Sequence, residues 1–580
     1  DGMGVDEQRE WADDLQRRAQ FPLPDDTVPR VCLLDSGVTR AHPLLEPLMD
    51  EEDLHTVEPA WGVDDEADHG TGLAGLAAYG DLADALSSVG PISVPHRLES
   101  VKLVSSEGAN EGDARHHAYL FTEGVSRPEI SAPNRQRVFT SAVTASDYRD
   151  RGRPSSWSAA VDSLAADTDG ASESPRLFVL SAGNTRDPNA WAGYPDSLST
   201  NLVHDPGQAW NAITVGACTD KIDTEGHASL NPVAEAGGLS PFTTTTRTWD
   251  RAWPLKPEVV LEGGNAAKDN LGAVGMPSLN LLTTHNQPLN RLFTTSNATS
   301  AASALCAGMA AQIMAAYPHL RPETVRALLV HSAQWSDSMR GMFLPADRMP
   351  NKGDYVHLIR HCGWGTPDLN RALWSAGDSL TLLVEDQVHP YAKVPVKGVV
   401  TRDMNLHSLP WPKDELEALQ DTPVEMRVTL SYFIEPNPSA RGAASKYHYP
   451  SHRLRFDVQR PLDASTDNFV ARVNAAAQRE DEGDPVNPSD PNWLLGEFQR
   501  HRGSLHQDVW KGTAADLASR GFIAVYPAMG WWRTRPALER YGLPARYSLV
   551  VSIQTQQTDV DLYAAVAQKI QVSNASIVET

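Results

Sequence analysis

Arg30-Val31-Cys32-Leu33-Leu34 is an apolar run that stops at Asp35-Ser36-Gly37. The run predicts a short buried strand, and the Asp-Ser-Gly triplet predicts a turn directly after it. A carboxylate therefore stands at the carboxyl end of a core strand. From this strand to about residue 375, strand-like runs alternate with Ala-rich helical stretches. Arg176-Leu177-Phe178-Val179-Leu180 and Ala212-Ile213-Thr214-Val215-Gly216 are two such strands. Residues 299–317 and 322–333 are two such helices, the second opened by Pro322 and Glu323. The alternation predicts an α/β domain, a doubly wound and mostly parallel sheet covered on both faces.

The pattern changes on either side. Residues 6–20 are densely charged and helix-favouring, and Phe21-Pro22 ends that run. Beyond about 377, runs such as Leu380–Val384, Val424–Ile434, Leu454–Val458, Phe522–Tyr526 and Tyr547–Ile553 alternate apolar and polar residues between Pro, Gly and Asn breaks. The expected organisation is a charged N-terminal helical segment (1–27), an α/β domain (28–376) and a β-rich C-terminal domain of the sandwich type (377–580). Residues 479–491 read as a solvated loop.

In open α/β sheets, ligands bind beyond the carboxyl ends of the strands. Three more segments belong with Asp35 there. Asp68-His69-Gly70-Thr71-Gly72 places a histidine before small residues that can open a tightly packed helix. Ser181-Ala182-Gly183-Asn184 puts an amide just after a strand. Ala298-Thr299-Ser300-Ala301-Ala302 carries a serine into an Ala-rich helix. Taken singly, each is an ordinary turn, loop or cap. Together they supply every part of a serine nucleophile. A hydroxyl needs a base to take its proton, and that base needs a carboxylate to hold its tautomer. The developing oxyanion needs donors already in place, which the Asn184 amide and the Ser300 backbone N–H can provide. The order Asp, His, Asn, Ser, with spacings of 34, 115 and 116 residues, is hard to obtain by chance.

This constellation resembles the subtilisin-like serine proteases, the subtilases, over roughly residues 28–375, down to Cys362-Gly363-Trp364-Gly365. The resemblance implies Asp35 as the orienting carboxylate, His69 as general base and then acid, Ser300 as nucleophile and Asn184 as oxyanion donor. It also implies that Ser141, Ala142 and Val143 form the edge that pairs with an extended substrate, while Ser181, Ala182 and Gly183 line a specificity pocket. Three positions depart from the family pattern. Ala298 replaces the usual glycine, adding a methyl beside the nucleophile and disfavouring positive φ. Ala304 replaces a proline. Val143 stands where a glycine is usual, which narrows or reshapes the cleft. The C-terminal segments Pro450–Arg460, Gly503–Trp510, Gly530-Trp531-Trp532 and Arg546–Val550 resemble a rhizobial subtilase subgroup often encoded beside an AAA-type ATPase. That likeness implies such an ATPase as partner and a role in bacterial, anti-phage defence. The rival reading is a catalytically silent, protease-fold binding subunit, suggested by Ala298, Val143 and the long C-terminal domain.

The 580 residues carry 50 Lys+Arg against 74 Asp+Glu, a formal net charge of -24. That balance repels phosphate backbones and anionic lipid, so neither nucleic acid nor a membrane is expected as partner. No run approaches the roughly 18 apolar residues of a spanning helix. The four cysteines, Cys32, Cys218, Cys306 and Cys362, show no CxxC pairing, and with no apolar export signal they point to a cytoplasmic, reducing compartment. No cofactor is required by this chemistry, and no P-loop is present. The acidic runs 50–53 and 64–66 are candidates for structural calcium but lack the alternating ligand spacing that would mark a site, and a solvated loop is the simpler expectation. Residues 530–535, Gly-Trp-Trp-Arg-Thr-Arg, read either as a recognition patch or as a Trp-anchored core under arginine stems.

Overall fold

The structure is a computed structural model that describes residues 3–105, 116–145, 151–170, 173–227, 229–377, 381–409, 411, 413–439, 445, 448–482 and 490–555. Its contacts divide the chain into two compact units. The first holds Asp1–Val325, Ala333–Met349 and His357–Leu369; the second holds Arg326–Ser332, Pro350–Val356 and Asn370–Thr580.

The first unit is built on an eight-stranded sheet. Its strands are β1 (Arg30–Asp35), β2 (Leu54–Thr56), β3 (Arg97–Lys102), β4 (Arg137–Ser141), β5 (Leu177–Ser181), β6 (Ile213–Thr219), β7 (Gly238–Leu239) and β8 (Val259–Glu262). They lie in the order β7-β6-β5-β4-β1-β3-β2, with β8 also paired to β6. Every pairing is parallel except β7 with β6. Strand β1 is buried along its whole length, as expected of a parallel strand covered on both faces. The chain lays β2 and β3 on one side of β1, the outer strand first, and then crosses over to lay β4 on the other. The end of β1, and with it Asp35, therefore lies at the switch point of the sheet.

Two helices bring the remaining site residues to that edge. Helix α2 (Gly70–Tyr79) is buried almost throughout. Helix α5 (Ala298–Ala316) follows the hairpin of β9 (Leu281–Thr284) and β10 (Phe293–Ser296). The two helices meet where a side chain on Gly308 would fall 2.4 Å from the carbonyl oxygen of Ala77, so only glycine allows this approach. Helix α5 is also long and apolar enough to cross a bilayer by length and composition, contrary to the sequence expectation that no run approaches that. Its apolar surface is buried within the unit, 78% of the most apolar window.

The N-terminal helix α1 (Val5–Arg18) belongs to this unit. Ala12 and Leu15 are buried against Leu44, Leu82, Ala85, Leu292 and Phe293. The Gln8 side-chain oxygen accepts the N–H groups of Leu292 and Phe293 at 2.9 and 3.3 Å.

The acidic run 50–53 is solvated in part: Asp50, Glu51 and Glu52 are exposed. It folds into a 3-10 turn in which Asp53 is fully buried. Arg135 binds Asp53 at 2.6 Å and Glu99 at 2.9 Å, and Arg137 binds Glu99 through two nitrogens at 2.5 and 3.0 Å. Buried carboxylates persist when they are paired in this way. Among the described residues, no group of three or more His, Cys, Asp or Glu is arranged to hold a metal.

The second unit contains two larger antiparallel sheets, besides a hairpin of Tyr391–Val394 with Gly398–Thr401. One orders β11 (Thr381–Val388), β17 (Ala545–Thr555), β13 (Pro423–Ser431) and β15 (Leu505–Thr513). The other orders β12 (Asn405–Ser408), β16 (Phe522–Ala528) and β14 (Arg453–Val458). Polar groups tie the two sheets together: Tyr547 on β17 lies 2.7 Å from His407 on β12, and Arg500 reaches both Asp508 and the Phe456 carbonyl. Within this unit Arg326 donates to Ser431 and to the carbonyls of Tyr432 and Ser504, which accounts for residues 326–332 grouping here. Trp531 and Trp532 are buried, and their indole N–H groups donate to the Glu435 carbonyl and carboxylate at 3.0 and 2.8 Å. The segment 530–535 is thus anchored in the core by its two tryptophans, with Arg533 half-buried and Arg535 exposed. The expected loop at 479–491 is overturned at its start, because a helix runs from Thr466 to Glu482; residues 483–489 lie outside the described residues, as does Leu380.

Candidate active site

Asp35, at the end of β1, is 2% exposed. Its Oδ1 lies 2.6 Å from His69 Nδ1 and also accepts the Ser36 backbone N–H at 2.8 Å. His69 precedes helix α2, and the start of that helix is clamped by side chains. Ser36 Oγ accepts the Gly70 N–H at 2.9 Å and donates to Asp65 Oδ1 at 2.9 Å. Asp65 Oδ2 accepts the Thr71 N–H at 2.8 Å. Orphan donors at a helix start are satisfied here by a carboxylate, which the helix dipole also favours. Gly70 admits no side chain, since a Cβ would fall 2.1 Å from the Gly37 carbonyl oxygen. The imidazole is therefore held by its ring nitrogen and by the backbone on either side.

The electrostatics follow from the same contacts. The Asp35 carboxylate raises the pKa of His69 above its ordinary value; burial opposes this, Asp65 adds to it and Arg186 subtracts from it. The acidic residue at 65 acts on the field at His69 and as a helix cap.

Ser300 is the third residue of α5 and is 4% exposed. Its backbone N–H lies in the first turn, where helix donors have no partner within the helix. Asn184, just after β5, accepts at Oδ1 from both the backbone N–H and the hydroxyl of Thr299, at 3.0 and 2.5 Å. With the oxygen committed, Nδ2 is the end of the amide left to donate. Thr299 Oγ1 in turn accepts the Gly183 N–H at 3.1 Å. His69, Asn184 and Ser300 line one cavity of about 390 Å³, together with Asp68, Arg186, Trp191, Phe242 and residues 295–298. The parts brought together here are a buried carboxylate on an imidazole, a serine, an oriented amide and a helix N-terminal N–H. They can generate a serine nucleophile and hold an oxyanion.

Ala298 adopts φ +62°. The methyl that disfavours this conformation is accommodated against Phe242, Val233 and Ala266, and the Ala298 N–H donates to the Gly263 carbonyl at 2.6 Å. Packing and this hydrogen bond hold an alanine where glycine is easiest.

The six residues expected to contact substrate do not line that cavity. Ser141, Ser181 and Ala182 are buried; Ser141 Oγ donates to the Leu34 carbonyl and Ser181 Oγ to that of Ala142. Ala142 and Val143 are half-buried beyond the end of β4. Gly183, at φ +93°, has the His204 ring so close that a Cβ would fall 2.2 Å from it. His204 also lies 3.1 Å from Thr144 Oγ1.

Arg186 and Trp191 have no signature in the sequence, because they line a wall that only folding creates. Thr299 was visible beside the serine, without its contact to Asn184 more than a hundred residues away. Ser36 and Asp65 were visible as a turn residue and an acidic run, without their common target.

The subtilase family matches residues 27–365. An uncharacterized protein of Sinorhizobium fredii, y4bN, is 31% identical over 375 residues, covering 59% of this chain and 78% of that one. Among solved structures, a lanthipeptide protease is 18% identical with a TM-score of 0.38, covering 64% of this chain and 91% of its own. The epidermin leader peptide processing serine protease of Staphylococcus aureus is 16% identical with a TM-score of 0.37, covering 61% and 77%. A cold-adapted subtilisin-like serine proteinase is 18% identical with a TM-score of 0.33, covering 57% and 92%. With a family match over more than half its length, the chain belongs to the subtilases and is a serine endopeptidase.

Proposed function

We propose that Ser300, His69 and Asp35 form the catalytic triad and that Asn184 is the oxyanion donor. Ser300 Oγ attacks the scissile carbonyl as His69 Nε2 takes its proton. The oxyanion is met by Asn184 Nδ2 and the Ser300 N–H. His69 then returns the proton to the leaving amine, which departs with its half of the peptide, and the acyl group stays on Ser300. A water molecule, activated by His69, hydrolyses the ester. Asp35 holds the imidazole in the tautomer with Nδ1 protonated and balances its charge in the transition state. The observation that carries this reading is the 2.6 Å contact of Asp35 with His69 beside a cavity shared by His69, Asn184 and Ser300. Labelling with a fluorophosphonate probe tests it: the native chain is expected to label and Ser300→Ala is not. Labelling that persists in Ser300→Ala refutes the assignment.

Control by an AAA-type ATPase in a cytoplasmic defence system extends the proposal. Its supports are the resemblance of the C-terminal segments and the four buried, unpaired thiols, which suit a reducing compartment. Co-purification with the neighbouring ATPase, and proteolysis dependent on ATP, is the expected result; equal proteolysis with and without it counts against this part alone.

A further inference from the structure

The cavity beside Ser300 holds an arginine that pairs with no carboxylate among the described residues. Arg186 lines the wall two residues past Asn184. The segment carrying it is pinned, with the Thr185 N–H donating to the Phe242 carbonyl at 2.8 Å and Asn184 bridged to Thr243. Arg186 itself is exposed and forms no hydrogen bond or ion pair with any described residue. In a chain of net charge -24, an unpaired guanidinium facing the catalytic cavity is a feature that requires a reason.

The other charges in the cavity are accounted for. Asp68 Oδ1 accepts the Asn286 N–H at 2.9 Å and its Oδ2 lies 3.6 Å from His285. His69 is held by Asp35. Next to Arg186 the wall is apolar: Trp191 meets Phe242 edge to face at 5.0 Å, and its indole N–H is tied to the Thr185 carbonyl at 2.8 Å. The wall thus offers a flat apolar surface with a planar cation at its rim, the pairing that binds a short acidic side chain in a fixed direction.

The position of the cavity sets which half of the substrate enters it. The edge at Ala142 and Val143, expected to pair with an extended substrate, does not line it. The groups that do include Ser300, the residues leading into α5 and His69, which hands its proton to the leaving amine. The cavity therefore receives residues on the leaving-group side of the scissile bond.

We propose that Arg186 makes the enzyme selective for peptides bearing an aspartate or glutamate at the first or second position after the scissile bond. The inference rests on Ser300 as nucleophile and adds the substrate class.

Paired peptides that differ only by Asp or Asn at those two positions test it. The native chain is expected to show kcat/KM about three- to tenfold higher for the Asp member, the effect of one charge-assisted contact in a partly wet site. The ratio is expected to shrink with added salt, to approach one in Arg186→Gln and to persist in part in Arg186→Lys. A ratio of one or less in the native chain overturns the proposal, as does an unchanged ratio in Arg186→Gln. Fluorescence anisotropy with the same labelled peptides on Ser300→Ala, alone and combined with Arg186→Gln, makes the comparison without turnover. Tighter binding of the Asp peptides that disappears in the double variant supports the proposal; equal binding of Asp and Asn peptides sinks it. Absence of any peptide hydrolysis by the native chain would count against the triad reading, and the binding comparison would still decide the role of Arg186.

Discussion

Thr299 holds the side-chain oxygen of Asn184 from two directions, its backbone N–H at 3.0 Å and its hydroxyl at 2.5 Å. The neighbour of the proposed nucleophile thereby orients the amide that would meet the oxyanion. Serine and amide are positioned by one peptide unit at the start of one helix.

Removing the hydroxyl while keeping the shape should loosen that amide without removing it. Thr299→Val is expected to lower kcat by about tenfold, less than the 10²–10³ typical of deleting an oxyanion donor, with KM little changed. Thr299→Ser is expected to restore most of the rate. Steady-state kinetics on Thr299→Val, Thr299→Ser and Asn184→Ala rank the three; a Thr299→Val enzyme as fast as the native chain would show that the backbone N–H alone suffices.

The Asp35 carboxylate favours the protonated form of His69 and so raises its pKa. Protonated imidazole cannot act as base, so activity is expected to rise with pH through a midpoint above the ordinary histidine value of about 6.5. A pH–rate profile of kcat/KM measures it. Asp35→Asn is expected to cost about 10⁴ in kcat, and a midpoint below the ordinary value in the native chain would contradict the Asp35–His69 pairing.

Ala298 lies in the left-handed region at φ +62°. A β-branched side chain there meets both the backbone penalty and a filled apolar contact. Ala298→Val is expected to destabilise by at least about 2 kcal/mol and to slow labelling of Ser300. In Ala298→Gly, relief of strain and loss of a buried methyl oppose each other, and the change is expected to stay within about 1 kcal/mol. Urea unfolding of the two variants separates these cases.

Glu99 is fully buried and accepts from Arg135 and Arg137. Glu99→Ala leaves two guanidinium groups short of a counter-charge and is expected to cost about 3–5 kcal/mol. A thermal melt that shifts by no more than a surface substitution would show that water or Asp53 takes over.

The fold of the first unit was legible because its signals are local. Apolar runs that end in turns, alternating with Ala-rich stretches, predict a parallel sheet, and Asp35, His69, Asn184 and Ser300 each stand at a strand end or helix start that the chain announces within a few residues. The acidic run 50–53 was legible in part for the same reason. Asp50, Glu51 and Glu52 are exposed, as the composition suggests, while Asp53 is buried because Arg135, more than eighty residues on, pairs with it. Helix 466–482 likewise extends into residues whose charge suggested a loop.

By itself, the sequence determined the order of strands and helices, the chemical types in the site and the family to which they belong. Tertiary structure alone decided that Thr299 steers Asn184, that Ser36 and Asp65 clamp the helix behind His69, that Ser141 and Ser181 are buried, and that Arg186 faces the cavity with no ion-pair partner among the described residues. Local patterns encode secondary structure because backbone conformation depends on near neighbours. Hydrogen-bond partners and the charges that face a cavity depend on groups brought within a few ångströms from distant parts of the chain, and only the folded packing selects them.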